Sequence, residues 1–126
     1  MEGNSKDTRK EKETADVKKK SNFFKRNFII LGIQSKIIRI DLENNVIDTL
    51  VDFSIIPFFE FLENDSYLIA IFEMGISVIN EDGELKWKLE LPEILIDWEI
   101  VNENIKLFYF DGKIGIHSLK TGELLS

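Results

Sequence analysis

Reactive side chains are scarce in this sequence. It holds one histidine, His117, and no cysteine. Disulfides, thiolate catalysis and cysteine-based zinc sites are therefore excluded. No serine sits in a Gly-x-Ser-x-Gly turn, and no glycine-rich phosphate loop occurs. Triad-type nucleophilic catalysis has no support. Carboxylates are abundant instead. Asp97-Trp98-Glu99 sets two acids beside an aromatic, the arrangement that tunes glycosidases. Neighbours on a strand point to opposite faces, so Asp97 and Glu99 share one face and Trp98 takes the other. The simpler reading, favoured here, packs Trp98 inward and leaves both acids in water. Asp111 precedes Gly112, and Asp82 precedes Gly83. Both pairs read as hairpin turns, because the alternating acidic ligands of a calcium loop are missing. His117 falls within a strand and reads as a packed residue rather than a general base. No catalytic, cofactor-binding or metal-ligating set is assigned. Asp97, Glu99, Asp111, Trp87 and Trp98 remain as candidate interaction residues.

The elements that must position these residues are strands. Tyr67 to Phe72 is apolar without a break, as in a strand buried on both faces. Ile76, Val78 and Ile79 give a shorter, half-alternating strand that reads as intermediate in burial. Leu85, Trp87, Leu89 and Leu91 alternate with Lys86, Lys88 and Glu90, the period of a strand with one wet face. From Phe28 onward the same pattern continues. Strands are predicted near 28–33, 36–41, 46–51, 58–62, 67–73, 76–80, 84–91, 97–101, 105–110, 113–118 and 122–125. No segment shows a sustained 3.6-residue period with caps, so the chain reads as all-β.

Charge divides the sequence. Residues 1–26 hold nine Lys/Arg and five Asp/Glu, whereas residues 27–126 hold seven and eighteen. Met1 to about Lys20 is almost devoid of apolar residues beyond Ala15 and Val17, and residues 1–26 are predicted to be a charged flexible tail, disordered or transiently helical. Residues 27–126 are predicted to form one β-repeat domain. Lys18-Lys19-Lys20 with Lys25-Arg26 is the one basic cluster, suited in principle to anionic lipid or nucleic acid, but five acids in the same tail dilute it. An acidic body repels phosphate backbones and steers basic proteins. The longest apolar run is about six residues, far short of the roughly 20 that span a bilayer. The absence of cysteine is compatible with a cytoplasmic location.

The strands repeat. Phe28–Ile33 aligns with Tyr67–Phe72 and Ile105–Phe110. Lys36–Asp41 aligns with Gly75–Asn80 and Lys113–Ser118, which places His117 where Ile40 and Ile79 stand. Val46–Leu50, Leu85–Leu89 and Leu124–Ser126 follow. Trp87 and Trp98 fall in equivalent regions of this unit and read as inter-sheet packing. The stretch Ile76-Ser-Val-Ile-Asn-Glu-Asp-Gly-Glu-Leu-Lys-Trp87, with Ile114-Gly-Ile-His-Ser-Leu-Lys-Thr-Gly-Glu-Leu124 next, resembles the β-propeller repeats of the quinoprotein-like and WD40-like families. The resemblance covers residues 28–126 and implies four-stranded blades. Propellers have four to eight such blades, and three are present here. The first copy lacks an innermost strand. The vicinal disulfide and calcium ligands of the quinoprotein cofactor site have no counterpart.

Three blades form an open arc, a ring of six completed by a second chain in a homodimer, or a single curled meander. The functional reading is a non-catalytic protein–protein interaction module with an acidic surface for a basic partner, as toxin-neutralising proteins have by analogy only. No nucleic-acid partner, cofactor or transmembrane segment is expected. The alternative is a small-ligand-binding protein or a hydrolase using Asp97, Glu99 and Asp111 at a sheet end.

Overall fold

The computed structural model describes residues 23–126, so the readings made for residues 1–22 lie outside the described residues. Each apolar run becomes a strand, and each Gly- or Asx-containing break becomes a turn. The strands are β1 (Phe28–Ile33), β2 (Lys36–Asp41), β3 (Val46–Asp52), β4 (Phe58–Asn64), β5 (Tyr67–Phe72), β6 (Gly75–Asn80), β7 (Leu85–Glu90), β8 (Leu95–Val101), β9 (Asn104–Tyr109) and β10 (Ile114–Ser118). They form three antiparallel sheets, ordered β1-β2-β3, β4-β5-β6-β7 and β10-β9-β8. All the described residues are strand, turn or irregular, with no helix among them.

The middle sheet is covered on both sides. Leu68, Ala70 and Phe72 of β5 join Phe28, Ile30, Ile37 and Val51 of the first sheet in one core. Ile69 and Ile71, from the same strand, join Ile105, Leu107 and Tyr109 of the third sheet in a second core. The period of two sends alternate residues to the two cores, which is why β5 needs an unbroken apolar run. β6 differs from its half-alternating pattern. Gly75 through Ile79 are all buried, because its polar position, Ser77, also faces a neighbouring sheet.

Aromatic rings lock the sheets together over missing side chains. A Cβ on Gly83 would lie 2.5 Å from the Phe28 ring, and one on Gly122 would lie 2.7 Å from Trp87. Both glycines end the turn after the second hairpin strand and have positive φ, 78° and 80°. Asn45 holds the same place in the first sheet at φ 56°.

Among the described residues the first sheet has three strands, with no innermost fourth. The preceding segment instead sends Phe24 into the first core, where it is 7% exposed. Lys25 N–H donates to the Glu81 carbonyl at 3.0 Å. Two expectations fail. Residues 122–125 form no strand of their own. Beyond the turn at Gly122 the segment makes the bridge His117↔Leu124 and backbone hydrogen bonds to Ile116 and Ser118. The third repeat is also offset. Phe28 pairs with Asp41, Tyr67 with Asn80 and Asn104 with Ser118, so Asn104 and not Ile105 is the equivalent of Tyr67. An additional loop residue among Phe110, Asp111 and Gly112 absorbs the difference, since Tyr109 N–H bonds the Lys113 carbonyl. A slip of one residue exchanges the faces of a strand. Ile105, Leu107 and Tyr109 consequently face the middle sheet.

Candidate functional site

The five candidate interaction residues do not converge. Asp97 and Glu99 are exposed on the face of the third sheet turned away from the core, and Trp98 is half-buried on the other face. Trp98 stacks on Phe59 with centroids 6.1 Å apart, and its indole N–H donates to Glu60 at 3.0 Å. Trp87 lies elsewhere, on the outermost strand of the middle sheet, and donates to the Leu119 carbonyl at 2.8 Å. The two tryptophans pack between sheets, but in non-equivalent strands, one innermost and one outermost. The Asp111 carboxylate accepts from the Lys113 amide at 3.0 Å and fixes the β9–β10 turn. Among the described residues no group of three or more His, Cys, Asp or Glu side chains is placed to hold a metal ion.

Asp111 borders a cleft. This cleft of about 570 Å³ opens between the end of β7 and the edge of β10. Leu91, Pro92 and Glu93 form one wall, and Tyr109, Gly115 and His117 the other. Sequence reasoning missed Tyr109 and Gly115, because the offset of β9 reverses which residues face the middle sheet. The available signal was the pair Gly115 and His117, two apart on one strand and hence on one face.

His117 is 7% exposed, and its Nδ1 lies 3.0 Å from the Gly122 carbonyl. A carbonyl only accepts, so Nδ1 is the donor in this hydrogen bond. Nε2 and the Tyr109 hydroxyl have no hydrogen-bond partner among the described residues. Both approach the vacant side-chain position of Gly115, at 3.7 and 3.6 Å. Burial, and secondarily the Asp111 charge, hold the Tyr109 phenol above its ordinary value. The Glu93 carboxylate accepts from the Ile94 amide at 2.8 Å at the cleft rim. The arrangement offers acceptors and negative charge above an apolar floor. It suits a hydrogen-bond-donating, cationic group better than an anion.

The described part of the basic cluster is engaged within the chain. Lys25 pairs with Glu81 at 3.4 Å. Arg26 reaches Asp41 at 3.3 Å and Glu43 at 3.4 Å. Lys18 to Lys20 lie outside the described residues.

No family model matches the chain, and no curated protein matches it. Solved structures do. BamB from Moraxella catarrhalis is similar with a TM-score of 0.54 at 15% identity, over 90% of this chain and 36% of that one. A chain of the mitotic checkpoint complex gives 0.53 at 7% identity, over 89% and 40%. The AfRom2 CNH domain gives 0.51 at 14% identity, over 79% and 36%. The chain thus spans well under half the length of the structures it matches. At such identities the likeness concerns fold alone. Those domains are propeller or WD40-like, and the three antiparallel sheets of this chain are β-propeller-type blades forming a partial propeller.

Proposed function

We propose that the chain is a non-catalytic protein–protein interaction module whose acidic surface takes a basic partner, acting in the cytoplasm. The observation that supports this reading is the charge of the body, with eighteen Asp/Glu against seven Lys/Arg from residue 27 onward. Two of the remaining cations in the described segment, Lys25 and Arg26, are already paired to acids of the same chain. Propeller-type folds commonly serve protein interactions, which agrees with this use of the arc. The test is capture on immobilised protein from extract of the source cells, followed by titration of the purified partner. The expected partner is a basic protein whose dissociation constant rises at least about tenfold between roughly 50 and 300 mM salt. Binding indifferent to salt, or recovery of acidic proteins only, overturns the proposal.

A second reading, self-association, is favoured by the outer face of the first sheet. The register places Ile29, Leu31, Ile38, Ile40 and Ile47 on that face. Their equivalents in the middle sheet include Leu68, Ala70 and Ile79, all fully buried. The far face of the third sheet carries Phe108, Ile114 and Ile116 beside Asp97 and Glu99. Two chains related by a twofold axis would cover both faces and complete six blades. Light scattering should then give twice 14.7 kDa, with Ile40→Glu restoring the monomer. A wild-type monomer at high concentration dismisses this reading.

A further inference from the structure

The linker from β3 to β4 is one residue longer than the linker from β7 to β8, five residues against four. Both make the same clasp on the preceding hairpin. Phe53 N–H bonds the Ser35 carbonyl at 3.0 Å, as Leu91 N–H bonds the Met74 carbonyl at 2.9 Å. Phe58 N–H bonds the Gln34 carbonyl at 2.6 Å, as Leu95 N–H bonds the Glu73 carbonyl at 2.9 Å. The additional residue therefore falls among Ser54, Ile55 and Ile56. The loop it makes is tied at several points. Ile56 N–H returns to the Phe53 carbonyl at 3.1 Å, and Ser54 N–H donates to Asp52 Oδ1 at 2.9 Å. The Ser35 hydroxyl donates to the Ser54 carbonyl. Beneath, Phe53 is buried against Phe72, with ring centroids 4.7 Å apart, and over the vacant side-chain position of Gly75. Ser54 takes a left-handed φ of 63°, which costs a non-glycine residue free energy. The outcome is Ile55 at the tip, 93% exposed, more than any other large apolar side chain among the described residues. A lone exposed isoleucine on a loose loop needs no explanation. This one is held in place at a cost in strain, and the sheets on both sides of its linker are present, so neither flank of the arc accounts for its exposure.

We infer that Ile55 is the apolar anchor by which the basic partner is held, entering a socket on that protein whose rim carries lysine or arginine. This rests on the proposed-function reading and assigns its contact. Three carboxylates border the loop. Asp52 is exposed at its start. Glu73 N–H bonds the Pro57 carbonyl at 2.9 Å, which sets Glu73 beside its end. Glu90 stands opposite Gly75 and shares the face that Phe53 covers. Lys36, opposite Asp52, is the cation that these pairings bring to the same place. An isoleucine amid net negative charge is complementary to an apolar recess amid positive charge, and it disfavours acidic surfaces. The two features act on different steps. Charge steers the encounter and gives the complex its salt dependence, whereas a desolvated anchor sets how long the complex lasts. The isoleucine side chain is stiff about χ1, and its loop is already fixed. Little freedom is lost on docking, so preorganisation at Ser54 appears as affinity.

The experiment uses the full chain, the basic partner purified after salt-sensitive capture, and polylysine as a probe of charge alone, with dissociation constants from calorimetry. Ile55→Val should weaken partner binding about fourfold and Ile55→Ala at least about tenfold, as expected for apolar groups withdrawn from a socket. Ile55 is exposed in the free protein, so both variants should keep the melting temperature within about 2 °C of the wild type. Leu42→Ala is the control. Leu42 is 44% exposed at the other end of β2, and its loss should change the affinity by less than about twofold. Polylysine has no socket and should bind the wild type and Ile55→Ala equally. The triple variant Asp52→Asn, Glu73→Gln, Glu90→Gln keeps the side-chain acceptors, removes the charges, and should weaken both ligands and flatten the salt dependence. Benzoylphenylalanine at position 55 should crosslink to the partner on irradiation, and at position 42 it should not. Partner affinity for Ile55→Ala within about twofold of the wild type overturns the inference and leaves the broader reading in place. An equal loss from Leu42→Ala, or a loss for Ile55→Ala that polylysine shares, also overturns it. Failure to recover any basic partner on the wild type removes the broader reading and the anchor with it.

Discussion

At the residue scale, stability rests on a few side chains seated where others are missing. Phe28 lies on Gly83 and Trp87 lies on Gly122, and both glycines adopt φ values that ordinary residues avoid. Gly83→Ala and Gly122→Ala combine a steric overlap with backbone strain, so each should lower unfolding free energy by about 1–3 kcal/mol in urea titrations. Asn45→Gly, at the matching turn of the first sheet, should change it by less than about 1 kcal/mol, since Asn already tolerates that backbone. Asp41 sets the acid response. The Asn44 side-chain amide, the Asn44 and Glu43 backbone amides and the Arg26 charge hold its carboxyl below the ordinary 3.8 against the opposing effect of burial. A lowered folded value means that its contribution is present above the ordinary value and is lost as pH falls through the lowered one. Melting temperature should therefore drop more steeply below about pH 4 in the wild type than in Asp41→Asn. Tyr109 acts in the opposite direction. Its phenol is raised, so its contribution is complete below the ordinary 10.0 and declines as pH climbs past it. Tyr109→Phe should flatten the alkaline loss.

At the element scale, strand identity was legible because alternation and turn chemistry agree. Asn80 illustrates this. Its side-chain oxygen accepts from the Asp82 and Glu84 amides at 2.9 and 3.0 Å, and the turn it builds ends in Gly83. Strand facing was less legible. The extra residue in the Phe110–Gly112 loop reverses β9, and although Lys106 between Ile105 and Leu107 marks the outer face, the following run Leu107–Phe110 carries no alternation to reinforce it. The cleft was hidden for the same reason, since it depends on Tyr109 facing the middle sheet and on Pro92 returning close to β10. Which face of the first sheet is covered can be tested directly. Leu68→Lys would bury an unpaired ammonium between two sheets and should prevent folding. Ile40→Lys, on the outer face, should cost less than about 1 kcal/mol by thermal melting, because no other sheet of the described residues packs over it.

At the scale of the whole molecule, three blades in an arc produce two kinds of surface. The flanks of the arc are sheet faces, and the rim between the second and third blades carries the acidic cleft. A ring consumes the flanks and leaves the rim free.

The placement of β5 and β6 between two cores has a kinetic consequence. Their amides are shielded by a layer on either side, whereas β3 and β8 each sit in a terminal sheet with one face that no other described sheet covers. Deuterium uptake should begin at the two extremities of the arc and advance toward Tyr67–Asn80, with that hairpin exchanging last and only through global opening.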